Sequence, residues 1–162
     1  MHFSTIAAAA LALAPIALCA EPVAQIKVNG HEGCKSGVVP TDGLPKVMLD
    51  HAYATKDHCE KVKVSHDMNI DSYSVTVDTI THDTNMKCVG VGVYANDLCT
   101  GEPAVAVPWH ATKSQVKSQC FSPLPFDENK YMSFKLFCYE NKAEAQGNED
   151  VLAAAAGAKA SA

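Results

Sequence analysis

The chain has 162 residues, and its 13 basic against 18 acidic side chains give a formal net charge of −5. All 13 basic residues are lysines, so the chain lacks the planar guanidinium group that binds phosphate at two points. This composition argues against nucleic-acid binding, against phosphorylated ligands and against the small secreted ribonucleases whose chemistry uses an arginine.

The first twenty residues are typical of a secretory signal peptide. An apolar run from Ile6 to Leu18 precedes the small-residue ending Leu18-Cys19-Ala20, so we expect cleavage after Ala20. The run is shorter than the roughly 20 apolar residues of a membrane-spanning helix, and no later segment is long and apolar enough to span a bilayer. We therefore predict a signal peptide over 1–20, a secreted extracellular mature protein and no membrane span.

Six cysteines remain after cleavage, and an even number in a secreted chain indicates disulfides rather than metal ligands or reactive thiols. They are Cys34, Cys59, Cys88, Cys99, Cys120 and Cys138. The sequence does not choose among the possible connectivities. Our working prediction pairs nearest neighbours: Cys34 with Cys59, Cys88 with Cys99, and Cys120 with Cys138. Each bridge would contribute about 2–4 kcal/mol.

The first predicted strand covers 23–28, where apolar and polar residues alternate and Asn29-Gly30 marks a turn. Apolar residues then recur at helical spacing after Pro45, which predicts a helix over 45–60. The β-branched alternation of 72–80 predicts a second strand.

The stretch GVGVYA, within a strand predicted over 87–95, matches the dinucleotide-binding pattern G-x-G-x-x-A. That pattern requires a following helix to receive a pyrophosphate, whereas here Asn96-Asp97 indicates a turn. We therefore interpret Gly90 and Gly92 as places where a bulge forms or another part of the chain comes close.

The remaining elements are predicted from shorter patterns. They are an edge strand at 104–108, a turn or two of helix within 109–120, a proline-rich loop at 122–129 and a last strand at 131–140. The alanine-rich end, 143–162, predicts a mobile tail with at most a frayed helix around 151–156. The predicted fold class is α+β or mainly β: one disulfide-stabilised domain over 21–142, with an antiparallel sheet of four to five strands and one helix.

No residue pattern indicates a catalytic site or a cofactor. Four histidines have an aspartate next to them, but sequence neighbours point in different directions, so we interpret these pairs as surface groups and predict no metal site. An enzyme acting on polysaccharides would use carboxylates such as Asp78, Asp97 or Glu102.

The best candidate binding surface is aromatic. Trp109 follows Pro108 in a predicted loop, where binding residues are often exposed. We group it with three other residues of the C-terminal half: His110, Tyr131 and Tyr139.

The signal peptide opening Met-His-Phe-Ser-Thr, the short mature chain, the six spread cysteines and the β-rich alternation resemble the small secreted cysteine-rich proteins of filamentous fungi. Many of these are candidate effectors, and the resemblance covers the whole chain without one diagnostic motif. It implies a virulence-related protein that binds a host protein or a cell-wall component without catalysis. Separately from the resemblance, we expect a monomer.

Two alternatives stay open. A secreted antimicrobial or killer-type toxin would need a specific receptor, because most such proteins are cationic and this one is acidic. A polysaccharide-binding protein would use exposed aromatic side chains.

Overall fold

A computed structural model describes residues 21–41, 46–64, 69–109, 113–126 and 131–157. They form two four-stranded antiparallel sheets. Sheet A contains, in spatial order, β2 (Lys46–Thr55), β1 (Val23–His31), β4 (Ser72–Thr79) and β7 (Gln115–Lys117). Sheet B contains β3 (Cys59–Lys63), β8 (Tyr131–Cys138), β5 (Cys88–Tyr94) and β6 (Val105–Pro108). The signal peptide predicted over 1–20 lies outside the described residues.

The inner faces of the two sheets share one hydrophobic core. Ile26 and Val75 of sheet A are fully buried, as are Val91 and Phe134 of sheet B, and all four belong to the same cluster. Two sheets that bury a common face make a β-sandwich. The predicted class, a small and mainly β domain held by disulfides, is confirmed, although the described residues form two sheets of four strands rather than one sheet of four to five.

Five of the strands lie close to their predicted positions, and two predicted helical segments are wrong. The chain over 45–60 forms β2 and the start of β3 instead of a helix. The helix prediction was wrong because one extra residue, Leu49, bulges from β2. Val28 pairs with Asp50 and Asn29 with Met48, so the bulge shifts the two-residue alternation and imitates helical spacing. Within 109–120 the described residues form β7 instead of a helix turn.

A short helix that the sequence did not predict, α1 (His82–Lys87), follows sheet A. Its first turn begins at Thr81, whose side chain accepts a hydrogen bond from the Thr84 N–H. The Thr84 hydroxyl is fully buried and accepts the Val23 N–H at 2.7 Å. This contact joins the start of β1 to α1, the helix that follows β4 in the chain.

The prediction of a mobile tail is wrong over the described part of the C-terminal segment, which forms the helix α2 (Lys142–Gly157). Leu152 and Ala155 are buried, and Leu152 packs against Tyr94 and Phe137 on the outer face of sheet B. The same side of the helix carries the small Ala155 and Asn148, whose amide donates to the Cys138 carbonyl of β8 at 2.9 Å.

The glycines of GVGVYA make room for this helix. A Cβ atom on Gly90 would lie 2.5 Å from Leu152 Cδ1 and 2.9 Å from the carbonyl oxygen of Val107. A Cβ atom on Gly92 would lie 2.8 Å from a ring carbon of Phe137. The strand β5 ends in a turn and pairs with β6 and β8, so the glycines serve close packing, as predicted.

The six cysteines of the described residues form three disulfides, as predicted, but the nearest-neighbour pairing is wrong. The bridges are Cys34–Cys120, Cys59–Cys99 and Cys88–Cys138. Cys88 and Cys138 are cross-strand partners of β5 and β8, which are adjacent in space but far apart in sequence. The sandwich topology therefore brings together cysteines that sequence distance keeps apart.

Replacing Leu152 with alanine should lower the free energy of unfolding by about 2–5 kcal/mol, since it empties the contact that holds α2 on sheet B. Val151, 40% exposed on the same helix, is the matched control, and Val151→Ala should change stability by less than about 0.5 kcal/mol. Urea unfolding followed by circular dichroism measures both. Equal stability of the two variants would mean that α2 does not dock through Leu152.

Candidate functional site

The four residues of the predicted aromatic surface do not come together. Trp109 is only 5% exposed and belongs to the core shared by the two sheets. His110 lies outside the described residues. Tyr131 and Tyr139 lie at opposite ends of β8, eight positions apart, which is about 26 Å along a strand.

Trp109 is buried because the chain stays paired with β5 beyond Pro108. Its backbone N–H donates to the carbonyl of Val89 at 3.0 Å, so the residue continues β6 instead of entering a loop. The indole N–H has no hydrogen-bond partner in the described part of the chain. The prediction of an exposed binding tryptophan is therefore wrong.

The two tyrosines have separate structural roles. The ammonium group of Lys61 lies 5.3 Å from the centre of the Tyr131 ring, a cation–π contact across β3 and β8. The Tyr139 hydroxyl donates to the carbonyl of Met86 at 2.9 Å. Tyr139 also lines a depression of about 360 Å³ beside the Lys56–Glu140 ion pair.

The most extensive constellation of exposed polar groups lies on the outer face of sheet A. Because side chains alternate along a strand, the residues between the buried apolar positions of β1 and β4 point outward. In one register row, Tyr53 pairs with Gln25, Gln25 with Asp78, and Asp78 with Gln115, so the row crosses all four strands. The next outward row contains His51, Lys27, Thr76 and Lys117.

We call these eight side chains the polar platform. Each row spans about 14 Å and the two rows are about 7 Å apart, from the usual spacing of strands and residues. Sequence reasoning missed most of this surface, although the alternation of polar with apolar residues in β1 and β4 was visible. That pattern identifies the outward positions of each strand but does not give the register between strands.

Hydrogen bonds hold the first row in place. The Gln25 amide donates to the Tyr53 hydroxyl at 3.1 Å. The carboxylate of Asp78 accepts the Lys27 ammonium at 2.7 Å and the Gln115 amide at 2.6 Å. In the described part of the chain neither glutamine amide oxygen accepts a hydrogen bond, so the row presents oriented acceptors together with the Tyr53 O–H as a donor.

The loop over 32–41 covers part of the outer face of sheet A. Further along the same outer face lie four polar residues, each at most 7% exposed: Asn29, His31, Ser72 and Ser74. His31 Nε2 lies 2.7 Å from the Ser74 hydroxyl, beneath Pro40 and Thr41 of the covering loop. The loop over 32–41 is held in place by the Cys34–Cys120 bridge and by the Gly37 N–H, which donates to the Cys120 carbonyl at 2.8 Å.

The electrostatics of the platform centre on Asp78. Partial burial raises the pKa of its carboxyl group, but the hydrogen bonds from Lys27 and Gln115 and the charge of Lys27 outweigh that effect. The pKa of Asp78 is therefore lowered, and the group is ionised at neutral pH.

The other features singled out from the sequence do not form a site among the described residues. The His51 and Asp50 side chains lie 3.9 Å apart on the surface, and the described residues hold no group of three or more metal-binding side chains. Asp97 and Glu102 lie in the loop after β5 in sheet B, whereas Asp78 lies on the outer face of sheet A, so the three carboxylates do not converge.

A second surface is a groove of about 630 Å³ along the edge strand β6, lined by Val105, Ala106, Pro108, Phe121 and Ala155 with smaller neighbours. Trp109 bonds to Val89 of β5, and antiparallel pairing alternates, so the backbone groups of Ala106 point away from β5 towards the groove. Pro108 occupies the next such position and has no N–H, which shortens the open edge to a single residue.

Comparisons with known protein families, with curated proteins and with solved structures find no match to this chain. No helix in the described ranges is both long and apolar enough to span a membrane. The three disulfides of the described residues are compatible with an extracellular protein.

Trp109→Phe keeps an aromatic ring in the core but removes the pyrrole part of the indole with an N–H that has no partner among the described residues, so it should destabilise the protein less than Trp109→Ala. Trp109→Ala should lower the free energy of unfolding by about 3–5 kcal/mol because it leaves a cavity in the core. Urea unfolding monitored by far-UV circular dichroism distinguishes the two. If Trp109→Ala were as stable as the parent protein, the side chain would not belong to the core.

Asp78→Asn should lower the free energy of unfolding at neutral pH by about 1–2 kcal/mol, because it removes the charge that Lys27 and Gln115 bind. The folded-state pKa is lowered, so the stabilisation by Asp78 is present above its unfolded pKa of about 3.9 and is lost as the pH falls through the folded value.

The stability difference between the parent protein and Asp78→Asn should therefore shrink as the pH falls below about 4. Urea titrations across this pH range test it. Asp150, which accepts the Gln146 amide on the exposed face of α2, provides the control Asp150→Asn, which should change the free energy of unfolding by less than about 0.5 kcal/mol at neutral pH. If the stability difference between the parent protein and Asp78→Asn grew towards acid pH, the lowered pKa of Asp78 would be contradicted.

Proposed function

We propose that this protein is a secreted, non-catalytic binding protein of the small cysteine-rich effector type, and that it recognises a cell-wall polysaccharide through the polar platform. The observation that carries the proposal is the register row Tyr53, Gln25, Asp78 and Gln115, which crosses all four strands of sheet A. The proposed ligand class is the same as in the sequence-based hypothesis of wall binding. The proposed binding surface is now the outer face of sheet A and no longer the region of Trp109.

The chemistry of the platform suits sugars. A sugar ring presents neighbouring hydroxyl groups, each both a donor and an acceptor, and these match planar amide and carboxylate groups. It also presents apolar C–H faces, which pack against an aromatic ring; Tyr53 is 52% exposed at the end of the first row. Tyr53 and Gln25 are already oriented by their mutual hydrogen bond, which reduces the entropy lost on binding.

The same surface suits other macromolecules less well. Protein interfaces have an apolar centre, whereas Tyr53 is the only large apolar side chain of the platform. Nucleic acid requires concentrated positive charge, but Asp78 neutralises Lys27 at 2.7 Å and the whole chain is acidic. The acidic charge also disfavours a toxin that attacks anionic microbial surfaces.

A host protein as partner is a second candidate, favoured by the groove along β6. An extended peptide segment that lay in this groove would meet apolar walls and the open N–H and carbonyl of Ala106. Because Pro108 leaves only Ala106 open on this edge, such a segment would be bound mainly by the side chains of the groove and not by a full added strand.

We expect the oxidised mature protein to be retained by at least one insoluble wall polysaccharide, with Tyr53→Ala and Gln25→Ala each weakening the affinity about tenfold, the value of one good contact. Matched controls lie elsewhere on the surface: Tyr131→Ala, which removes another exposed tyrosine, and Gln146→Ala, which removes another glutamine bound to an aspartate. Both controls should bind like the parent protein in pull-down and calorimetric titration.

Two results would contradict the proposal. No retention on a panel of chitin, β-glucan, cellulose, xylan and pectin would argue against polysaccharide binding and favour the protein partner. Retention lost in Tyr131→Ala but kept in Tyr53→Ala would mean that the polar platform is not the binding surface.

A further inference from the structure

The three disulfides of this small domain differ in accessibility. Four of the six cysteines are at most 9% exposed, namely those of the two bridges Cys34–Cys120 and Cys88–Cys138. In the third bridge, Cys59 is exposed and Cys99 is partly buried. Thiol–disulfide exchange requires direct attack of a thiolate on a sulfur atom, so access favours the third bridge.

The backbone around the same bridge is unusual. Among the described residues only Asp57, with φ of 64°, and Cys99, with φ of 51°, are non-glycine residues in the left-handed region. One is a cysteine of the bridge and the other lies two positions before its partner, Cys59. Aspartate tolerates this conformation through its short polar side chain, but cysteine has no such compensation.

The loop that carries Cys99 has an anchor of its own. The Asn96 side-chain oxygen accepts the N–H groups of Leu98 and Thr100, both at 3.1 Å, and its amide donates to the Thr100 carbonyl at 2.9 Å. Opening the Cys59–Cys99 bridge therefore leaves this turn closed. The Cys88–Cys138 bridge instead joins β5 and β8, which are already paired strands of sheet B.

Charged residues of both signs lie near this bridge. Cys59 is the cross-strand partner of Lys135 on β8. Asp57 and Asp97 are the nearby negative groups, and Asp97 contributes its backbone carbonyl, 3.7 Å from the Cys59 sulfur.

We propose that Cys59–Cys99 is a thiol–disulfide exchange site for low-molecular-weight thiols such as glutathione, and that the other two bridges are purely structural. A thiolate attacks the Cys59 sulfur, the bridge breaks, and Cys99 leaves as a thiolate that takes a proton from water. A second thiol then attacks the mixed disulfide on Cys59. Two thiols lose two electrons and become one disulfide, and the bridge gains them and becomes two cysteine thiols.

The consequence is local. The bridge ties the edge strand β3 to the loop after β5, on sheet B, while the polar platform lies on the outer face of sheet A. Exchange should release β3 from this loop without changing polysaccharide binding, so the proposal stands independently of the proposed function.

The test treats the folded, oxidised mature protein with reduced glutathione without denaturant, blocks thiols at intervals with N-ethylmaleimide and identifies the modified cysteines by peptide mass spectrometry. We expect Cys59 and Cys99 to be modified roughly tenfold faster or more than the other four. The mixed disulfide with glutathione should appear on Cys59.

A Cys59→Ser/Cys99→Ser double variant should lack the fast phase and show the same slow modification of the remaining cysteines. If that variant fails to fold, the relative modification rates of the six cysteines in the parent protein still test the proposal. Modification of all six cysteines at one rate, or of Cys34–Cys120 or Cys88–Cys138 first, would overturn the proposal.

Discussion

The register of β1 between β2 and β4 is the constraint on which the rest of the structure depends. Since side chains alternate, it sends Ile26 into the core and Gln25 to the outer face, and a slip by one residue would exchange the two. The same pairings align Tyr53, Gln25 and Asp78 of the first row, and the pairing of β4 with β7 adds Gln115. Core and candidate site are thus two faces of one set of strand pairings, and neither can change its register alone.

The sandwich leaves each sheet with an outer face, and the chain treats the two differently. On sheet B, α2 covers the outer face with Leu152, at the place where Gly90 leaves room for it. On sheet A, the loop fixed by Cys34–Cys120 covers only a portion of the face, and the polar residues beneath it are almost fully buried. The polar platform is what remains uncovered, on a surface made rigid by strands on both sides.

Much of the architecture could be predicted from local patterns, because a strand with one buried face shows its alternation in the sequence. The prediction of a helix over 45–60 was wrong because the Leu49 bulge shifts that alternation within an edge strand. The prediction of a mobile tail was wrong because it rested on composition, which does not show the helix cap. The Asn141 side chain accepts the Glu144 N–H at 2.9 Å, and the Glu144 carboxylate accepts the Glu140 N–H at 2.8 Å. The disulfide pairing and the platform both depend on which strands become neighbours in space, which a single sequence does not reveal.

The close contact of β5 with α2 gives a way to search for relatives. Gly90 is needed where the helix approaches β5, since a Cβ atom there would meet the Val107 carbonyl as well as Leu152, and Gly92 leaves room for Phe137, which packs against Leu152. The corresponding signature is a G-x-G pair between two cysteines, followed after a long interval by a capped alanine-rich helix with one leucine. Such a spacing pattern can persist in distant sequences after overall identity has been lost, and it would find chains that share this architecture where whole-sequence comparison does not.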